Sequence, residues 1–140
     1  MPKRVLLCDD EIHILRAAEF KLKRGGYDVE IANDGEEAWQ RIQVRRPDIL
    51  ITDYQMPRLD GLGLVERLRQ DAATSDLPVL MLTAKGFELR LEDLAAKWRI
   101  LALLAKPFSP RELLQIVNNV LGAPSASTAA PAETALPVTA

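Results

Sequence analysis

The chain has a single cysteine, Cys8, so no internal disulfide can staple it. Cys8 lies inside an apolar run, where it reads as a buried core thiol rather than a reactive one. An excess of charge of one sign is also missing. A formal net charge of −2 leaves no basic field for nucleic acid and no polybasic patch for a membrane surface. No apolar run approaches the roughly 20 residues needed to cross a bilayer. The short run after the basic start Met-Pro-Lys-Arg ends in three acids, unlike a signal peptide. These absences predict a protein of a reducing, cytoplasmic setting, without membrane insertion or direct nucleic-acid contact. Glycine-rich phosphate cradles are absent too. No G-x-G-x-x-G follows the first apolar run and no G-x-x-x-x-G-K-[ST] occurs, which counts against a dinucleotide or P-loop binder.

What is present is alternation. At 140 residues the chain is long enough to bury a core without staples. Five short apolar runs, Val5–Cys8, Val29–Ala32, Ile49–Ile51, Val79–Leu82 and Ile100–Ala105, are mostly continuous rather than alternating in polarity, as strands covered on both faces are. Helix-length segments separate them. Ile12–Arg24 is amphipathic and stops at Gly25-Gly26. Asn33-Asp34-Gly35 can open a helix to about Val44, ended by Arg45-Arg46-Pro47. Leu62–Asp71, Glu88–Lys97 and Pro110–Leu121 complete the set; before the last, Ser109 takes the N-cap position, Pro110 the first helical one, and Glu112 the spacing of a capping box. Strict strand–helix alternation predicts an α/β domain with a parallel sheet and helices on both faces. Residues 1–122 form this domain. Residues 123–140, "APSASTAAPAETALPVTA", offer no periodic apolar face and read as a flexible Ala/Pro/Ser/Thr-rich tail or linker.

In open α/β sheets, ligands bind beyond the carboxyl ends of the strands. There the first strand runs into Asp9-Asp10, the third into Asp53, the fourth into Thr83-Ala84 and the fifth into Lys106-Pro107; the second, at Ala32-Asn33, offers no assignable chemistry. Three carboxylates brought together repel, and a divalent cation relieves that cost. All-oxygen donors, with no nearby cysteine or second histidine, favour Mg²⁺, which keeps waters and shares coordination with phosphate. Phosphoryl transfer needs its charge neutralised and its reactants aligned, tasks that a metal, a lysine and a hydroxyl divide between them. An aspartate at a rigid strand tip can itself be the nucleophile. His13, alone in a first helical turn, reads as incidental. Trp39 reads as packing, and Trp98 as packing or a partner contact.

Together, "LLCDDE", "ILITDYQMPRLDG", "LTA" and "AKPFSPREL", in that order, resemble the receiver domain of two-component response regulators, from residue 3 to about 121. The resemblance implies the flavodoxin-like strand order 2-1-3-4-5, Asp53 as phosphoacceptor, and a Mg²⁺ site made by Asp10, Asp53, the Gln55 backbone carbonyl and, through water, Asp9. It implies that Thr83 contacts the phosphoryl group, that Lys106 pairs with it, and that the Lys106–Pro107 bond is cis. A sensor histidine kinase or histidine phosphotransfer protein would be the donor. The chain would be a regulatory phosphoprotein rather than an enzyme, catalysing its own loading and slow dephosphorylation, with Gln55 and Lys85 tuning the acyl-phosphate lifetime. The signal would be passed through the fourth helix, fifth strand and fifth helix to an output protein that the sequence does not name. Leu103 stands where most such domains have an aromatic, and Arg99-Ile100 where many have Gly-Ala, so switching is expected to use Leu103 packing or loop movement. The expectation is a stand-alone, chemotaxis-type receiver or a piece of a longer regulator. The alternatives are a degenerate receiver that binds partners without phosphorylation, and an aspartyl-nucleophile phosphatase; the haloacid-dehalogenase pattern would want a second acid where Gln55 stands.

Overall fold

The computed structural model describes residues 2–84 and 90–122. Five strands alternate with five helices: β1 (Arg4–Cys8), α1 (Ile12–Arg24), β2 (Asp28–Ala32), α2 (Gly35–Val44), β3 (Ile49–Asp53), α3 (Gly61–Arg69), β4 (Val79–Thr83), α4 (Leu91–Trp98), β5 (Ala102–Ala105) and α5 (Pro110–Leu121). All strand pairings are parallel, and the spatial order is β2-β1-β3-β4-β5. The expected α/β architecture and strand order are therefore present.

The continuous apolar runs have a direct packing reason. Every residue of β1, β3 and β4 is buried. Successive side chains leave opposite faces of a strand. Val5, Leu7, Ile49, Ile51, Leu80 and Leu82 pack on one face with Leu15, Ala18 and Leu22 of α1 and Leu113 and Val117 of α5. Leu6, Cys8, Leu50, Val79 and Met81 pack on the other with Ala38 and Ile42 of α2, Leu64, Val65 and Leu68 of α3, and Leu94 of α4. Each fully buried Leu or Ile contributes on the order of 1.5–3 kcal/mol. The flanking strands β2 and β5 are only partly covered, as sheet edges must be.

Helix ends follow the sequence signals with local corrections. After α1, Gly26 takes the left-handed conformation (φ 99°), while Gly25 stays at φ −80°. The Tyr27 and Gly26 N–H groups donate to Leu22 and Lys23 carbonyls, and buried Tyr27 packs in the cluster of Leu22, a Schellman closure. Asp34 caps α2 by accepting from Glu37 N (2.8 Å), and Asp60 caps α3 by accepting from Gly63 N (2.8 Å). Ser109 does cap α5, but its hydroxyl accepts from Arg111 N rather than from the third helical position. The largest correction is at β5, expected from Ile100 but starting at Ala102. Arg99 closes α4 in the left-handed region (φ 58°), and Ile100, only 1% exposed, plugs the core beside Leu94 instead of pairing in the strand. Its apolar character comes from helix capping, not from the sheet. Helix α3 stops at Arg69, two residues before the expected Asp71, and the start expected for α4 at Glu88 lies outside the described residues. The expected tail does too.

No helix among the described residues is long and apolar enough to cross a membrane.

Candidate functional site

The carboxyl edge of the sheet gathers the acids. β1 ends at Cys8, so Asp9 and Asp10 open the following loop; Asp53 is the last residue of β3 itself. Register pairs Cys8 with Thr52, which puts the two acidic strand ends side by side. One carboxylate oxygen from each of Asp9, Asp10 and Asp53 lies within 4.8 Å of the other two. Their exposures differ: Asp9 is 1% and Asp53 4% exposed, while Asp10 faces solvent.

Lys106, just beyond β5, reaches this cluster. Its Nζ stands 2.6 Å from Glu11 Oε1, 2.8 Å from Asp9 Oδ2 and 3.1 Å from Asp53 Oδ2. The contacts to Glu11 and Asp53 are hydrogen bonds. Asp9 Oδ1 accepts from Glu11 N at 2.9 Å, but buried Asp9 Oδ2 receives no hydrogen bond of proper geometry, the ammonium contact being ionic only. Three carboxylates therefore share one ammonium, with Asp10 a fourth acid beside them. Lys106 is followed by a cis bond to Pro107.

These charges perturb one another as burial and Coulomb's law require. Burial is the largest influence on Asp9 and, with the nearby Asp53 charge, raises its pKa to about 6 against the opposing pull of Lys106. Asp53 is raised as well, by burial first, with the Lys106 hydrogen bond opposing and Asp10 adding repulsion. For Lys106 burial works against the charge, but Asp9, Glu11 and Asp53 outweigh it and hold the ammonium firmly protonated.

The surroundings hold Asp53 in place. Gly61 N donates to Tyr54 O at 2.9 Å, and a β-carbon on Gly61 would collide with the Asp53 carbonyl oxygen, so only glycine lets α3 start this close. The Thr52 hydroxyl donates to Asp53 O at 3.1 Å. Met56 tucks beneath the loop, its sulfur 3.2 Å from Cys8 Sγ. Burial drives the Cys8 pKa upward, so this thiol stays protonated and inert, in line with its reading as a core residue. An open cleft of about 520 Å³ lies above, lined by Asp10, Glu11, Asp53, Gln55, Met56, Pro57, Asp60, Ala84 and Lys106.

Of the residues singled out from sequence, the fold thus brings together Asp9, Asp10, Asp53, Gln55 and Lys106. Thr83 ends β4, 4% exposed, with its hydroxyl donating to Ala84 O at 3.4 Å rather than touching the acids. Lys85 lies outside the described residues. Leu103 is away from the cleft and packs, with Trp98 and Trp39, on the core side that faces α2, α3 and α4. Pro107 lines a separate apolar recess with His13, Ile14, Ala17, Phe108 and Pro110, so His13 takes no part in the acid cluster. The participant that sequence reasoning passed over is Glu11. It stood in plain view in "CDDE", but its partner is 95 positions away and only the fold joins them.

The donor set fits a hard divalent cation. Its donor atoms are all oxygens, they converge, and Asp9 among them keeps a buried carboxylate oxygen without a hydrogen bond. A cofactor of the Mg²⁺ type suits this chemistry better than a soft metal.

Comparison with known proteins bears on the same residues. The family model described as "Response regulator receiver domain" matches residues 5–118. The alkaline phosphatase synthesis transcriptional regulatory protein PhoP of Bacillus subtilis is 38% identical over 86% of the chain and 49% of its own length. Response regulator Rre1 of Synechocystis is 37% identical over 96% of the chain and 58% of its own length. The chain spans about half the length of the curated relatives it matches. Among solved structures, the chemotaxis response regulator CheY4 of Vibrio cholerae superposes with a TM-score of 0.77 at 32% identity, covering 86% of this chain and 99% of that one. A response regulator receiver domain protein from Clostridium thermocellum gives 0.72 at 28% identity, covering 85% and 94%.

Proposed function

The chain belongs to the response regulator receiver domain family, and from that premise we propose that Asp53 accepts a phosphoryl group and thereby switches the domain between two signalling states. One observation carries this reading. Asp53 Oδ2 sits at a rigid strand end, 3.1 Å from the Lys106 ammonium, within a carboxylate trio that includes a buried oxygen with an ionic contact but no hydrogen bond. A structural ion pair has no use for surplus buried negative charge; a phosphoryl-transfer site that takes a cation does.

In this mechanism an Asp53 carboxylate oxygen attacks phosphorus in line. The O–P bond forms as the P–N bond to a donor phosphohistidine breaks, and the bonding pair returns to the imidazole nitrogen. A sensor histidine kinase or histidine phosphotransfer protein supplies that donor. Asp9, Asp10, Asp53 and the Gln55 carbonyl would hold Mg²⁺, which when bound neutralises charge on the transferring group. Lys106 donates to a phosphoryl oxygen. Thr83 exchanges its weak bond to Ala84 O for a second donation there. Water attack on phosphorus later returns the Asp53 carboxylate and inorganic phosphate.

Phosphorylation adds roughly −1.5 to −2 charge and three acceptor oxygens at one point. Lys106 follows β5 and Thr83 ends β4, so their movement pulls on strands that carry Leu103 and, through the Ile100 plug, α4. Leu103 and Trp98 both pack on the core cluster that holds Leu94 of α4, so the signal is transmitted as a shift in this α4–β5 packing rather than as an aromatic side-chain flip. The output partner belongs to whatever assembly the domain serves; the B. subtilis relative is named a transcriptional regulator.

Incubation with acetyl phosphate or beryllofluoride, with and without Mg²⁺, tests the proposal by intact mass or by fluoride NMR. A Mg²⁺-dependent adduct that disappears in Asp53→Asn supports it. An adduct that survives the substitution, or no adduct at all, overturns it in favour of a phosphorylation-independent interaction module.

A further inference from the structure

The three carboxylates that contact Lys106 do not have equal standing. Glu11 makes the shortest contact, 2.6 Å, and Asp53 the longest, 3.1 Å. Glu11 is also the exposed one, its side chain 57% accessible against 1% for Asp9 and 6% for Asp53. Glu11 is the N-cap residue of α1, and its side chain makes no cap hydrogen bond to the helix. Its own N–H is given to Asp9 Oδ1, which fixes the backbone of the loop and aims the side chain outward over the cleft it lines. The carboxylate is withheld from the helix and given to a lysine 95 residues away.

An ammonium has three donors, and two are occupied by Glu11 and Asp53. Resting on the phosphoacceptor reading above, we propose that Glu11 is a positioning residue that tethers Lys106 at the mouth of the cleft in the unphosphorylated state and so sets how readily Asp53 is loaded. Loading requires Nζ to swing its donors onto phosphoryl oxygens, and the Glu11 carboxylate competes for them. The phosphoryl group, with greater charge and buried beside the lysine, wins that competition once formed. The tether therefore acts on the approach to the transition state more than on the finished acyl phosphate.

The pair is half in solvent, and exposed pairs of this kind have small energies, so the expected effect is moderate: Glu11→Gln speeds phosphoryl uptake from acetyl phosphate at saturating Mg²⁺ by roughly two- to fivefold. The gain shrinks as ionic strength rises. Glu11→Asp separates the tether from a mere charge at the mouth, because it keeps the charge but is one methylene too short to hold Nζ. It is expected to load as fast as Glu11→Gln. Loading at the wild-type rate by Glu11→Asp overturns the proposal and leaves only field repulsion of an anionic donor. In a Lys106→Ala background, followed over longer incubations, the Glu11→Gln gain is expected to vanish; a gain that persists there also overturns the proposal. Asp53→Asn run alongside keeps the two readings apart. Uptake abolished by Asp53→Asn with no change in Glu11→Gln sinks the tether alone, whereas uptake surviving Asp53→Asn sinks the acceptor assignment beneath it.

Discussion

The two ends of β1 each hold a buried charge, and they are built on opposite principles. At the amino end Arg4 is fully matched. Its guanidinium donates to Glu30 Oε1 at 2.6 Å and to Arg46 O at 2.8 Å, and its backbone N–H donates to Asp48 Oδ2 at 2.7 Å. One cation meets its acceptors with nothing left over. At the carboxyl end Asp9, Asp53 and Glu11 crowd one ammonium with Asp10 beside them, and one buried oxygen goes without a hydrogen bond. The first arrangement ties β1 to β2 and to the loop before β3. The second works against folding, and on the function proposed above its surplus negative charge is what a cation comes to satisfy. Stability and function are separated by five residues along one strand.

Removing a partner at each end should therefore give effects of opposite sign. Arg4→Ala strips the guanidinium from Glu30 and from the Arg46 carbonyl, while the backbone N–H bond to Asp48 stays. Breaking a buried pair costs about 3–5 kcal/mol; Glu30 is 39% exposed, which lowers the expectation to about 2–3 kcal/mol. Urea unfolding measures the loss, and phosphoryl uptake per folded molecule should be unchanged. A loss of uptake by the folded fraction would erase the contrast between the two ends.

Asp9→Asn should do the reverse, stabilising the metal-free protein. The Asp9 pKa of about 6 in the fold lies above its ordinary 3.8, so the folded state binds the proton more tightly and the wild type bears the cost of the charge as pH rises between those values. Below about pH 4 both states are protonated and the variant has no advantage. The advantage grows through pH 4–6 and is constant above. At about 1.4 kcal/mol per pKa unit the ceiling is about 3 kcal/mol, the pull of Lys106 being already part of that shift. Denaturant midpoints across that pH range decide the point; a destabilised variant at pH 7 would mean that the acid cluster is a structural staple like Arg4.

Metal should sharpen the contrast by a smaller margin. Mg²⁺ at about ten times its Kd stabilises by about 1.4 kcal/mol, seen as a rise in Tm that chelation reverses. Asp9→Asn should lose most of that rise, while Arg4→Ala, though less stable, should keep it in full.

Much of this was legible in the sequence because strands buried on both faces write themselves as unbroken apolar runs, and acids at their carboxyl ends stand out against such runs. Asp9, Asp10 and Asp53 were readable for that reason, and Lys106 because it ends the fifth run. What escaped shares one cause, which is that the meaning lies in a tertiary partner. Ile100 looked like strand because it is apolar, when it serves as the plug behind α4. Arg4 looked like a basic leader residue until Glu30 and Asp48 stood beside it. Glu11 looked like the last of three acids, and its attachment to Lys106 depends on the β5–α5 loop folding back over β1.

The finest test concerns lifetime rather than loading. Gln55 is exposed on the loop after β3 and lines the same cleft as Asp53, and on the function proposed above it is expected to flank the path of an attacking water. Lys85 stands two residues beyond Thr83 in the sequence and is expected to flank the same path. Gln55→Ala opens that path, and the acyl phosphate should hydrolyse a few-fold faster, about 0.5–1 kcal/mol in barrier. Lys85→Ala should alter the rate by a similar factor. Gln55→Ala should leave the denaturant midpoint unchanged, because Gln55 is exposed and contributes no charge to the cluster. Following decay of the phosphorylated species after donor removal checks both. Equal rates in wild type and both variants would confine control of the lifetime to Asp9, Asp53, Thr83 and Lys106 themselves.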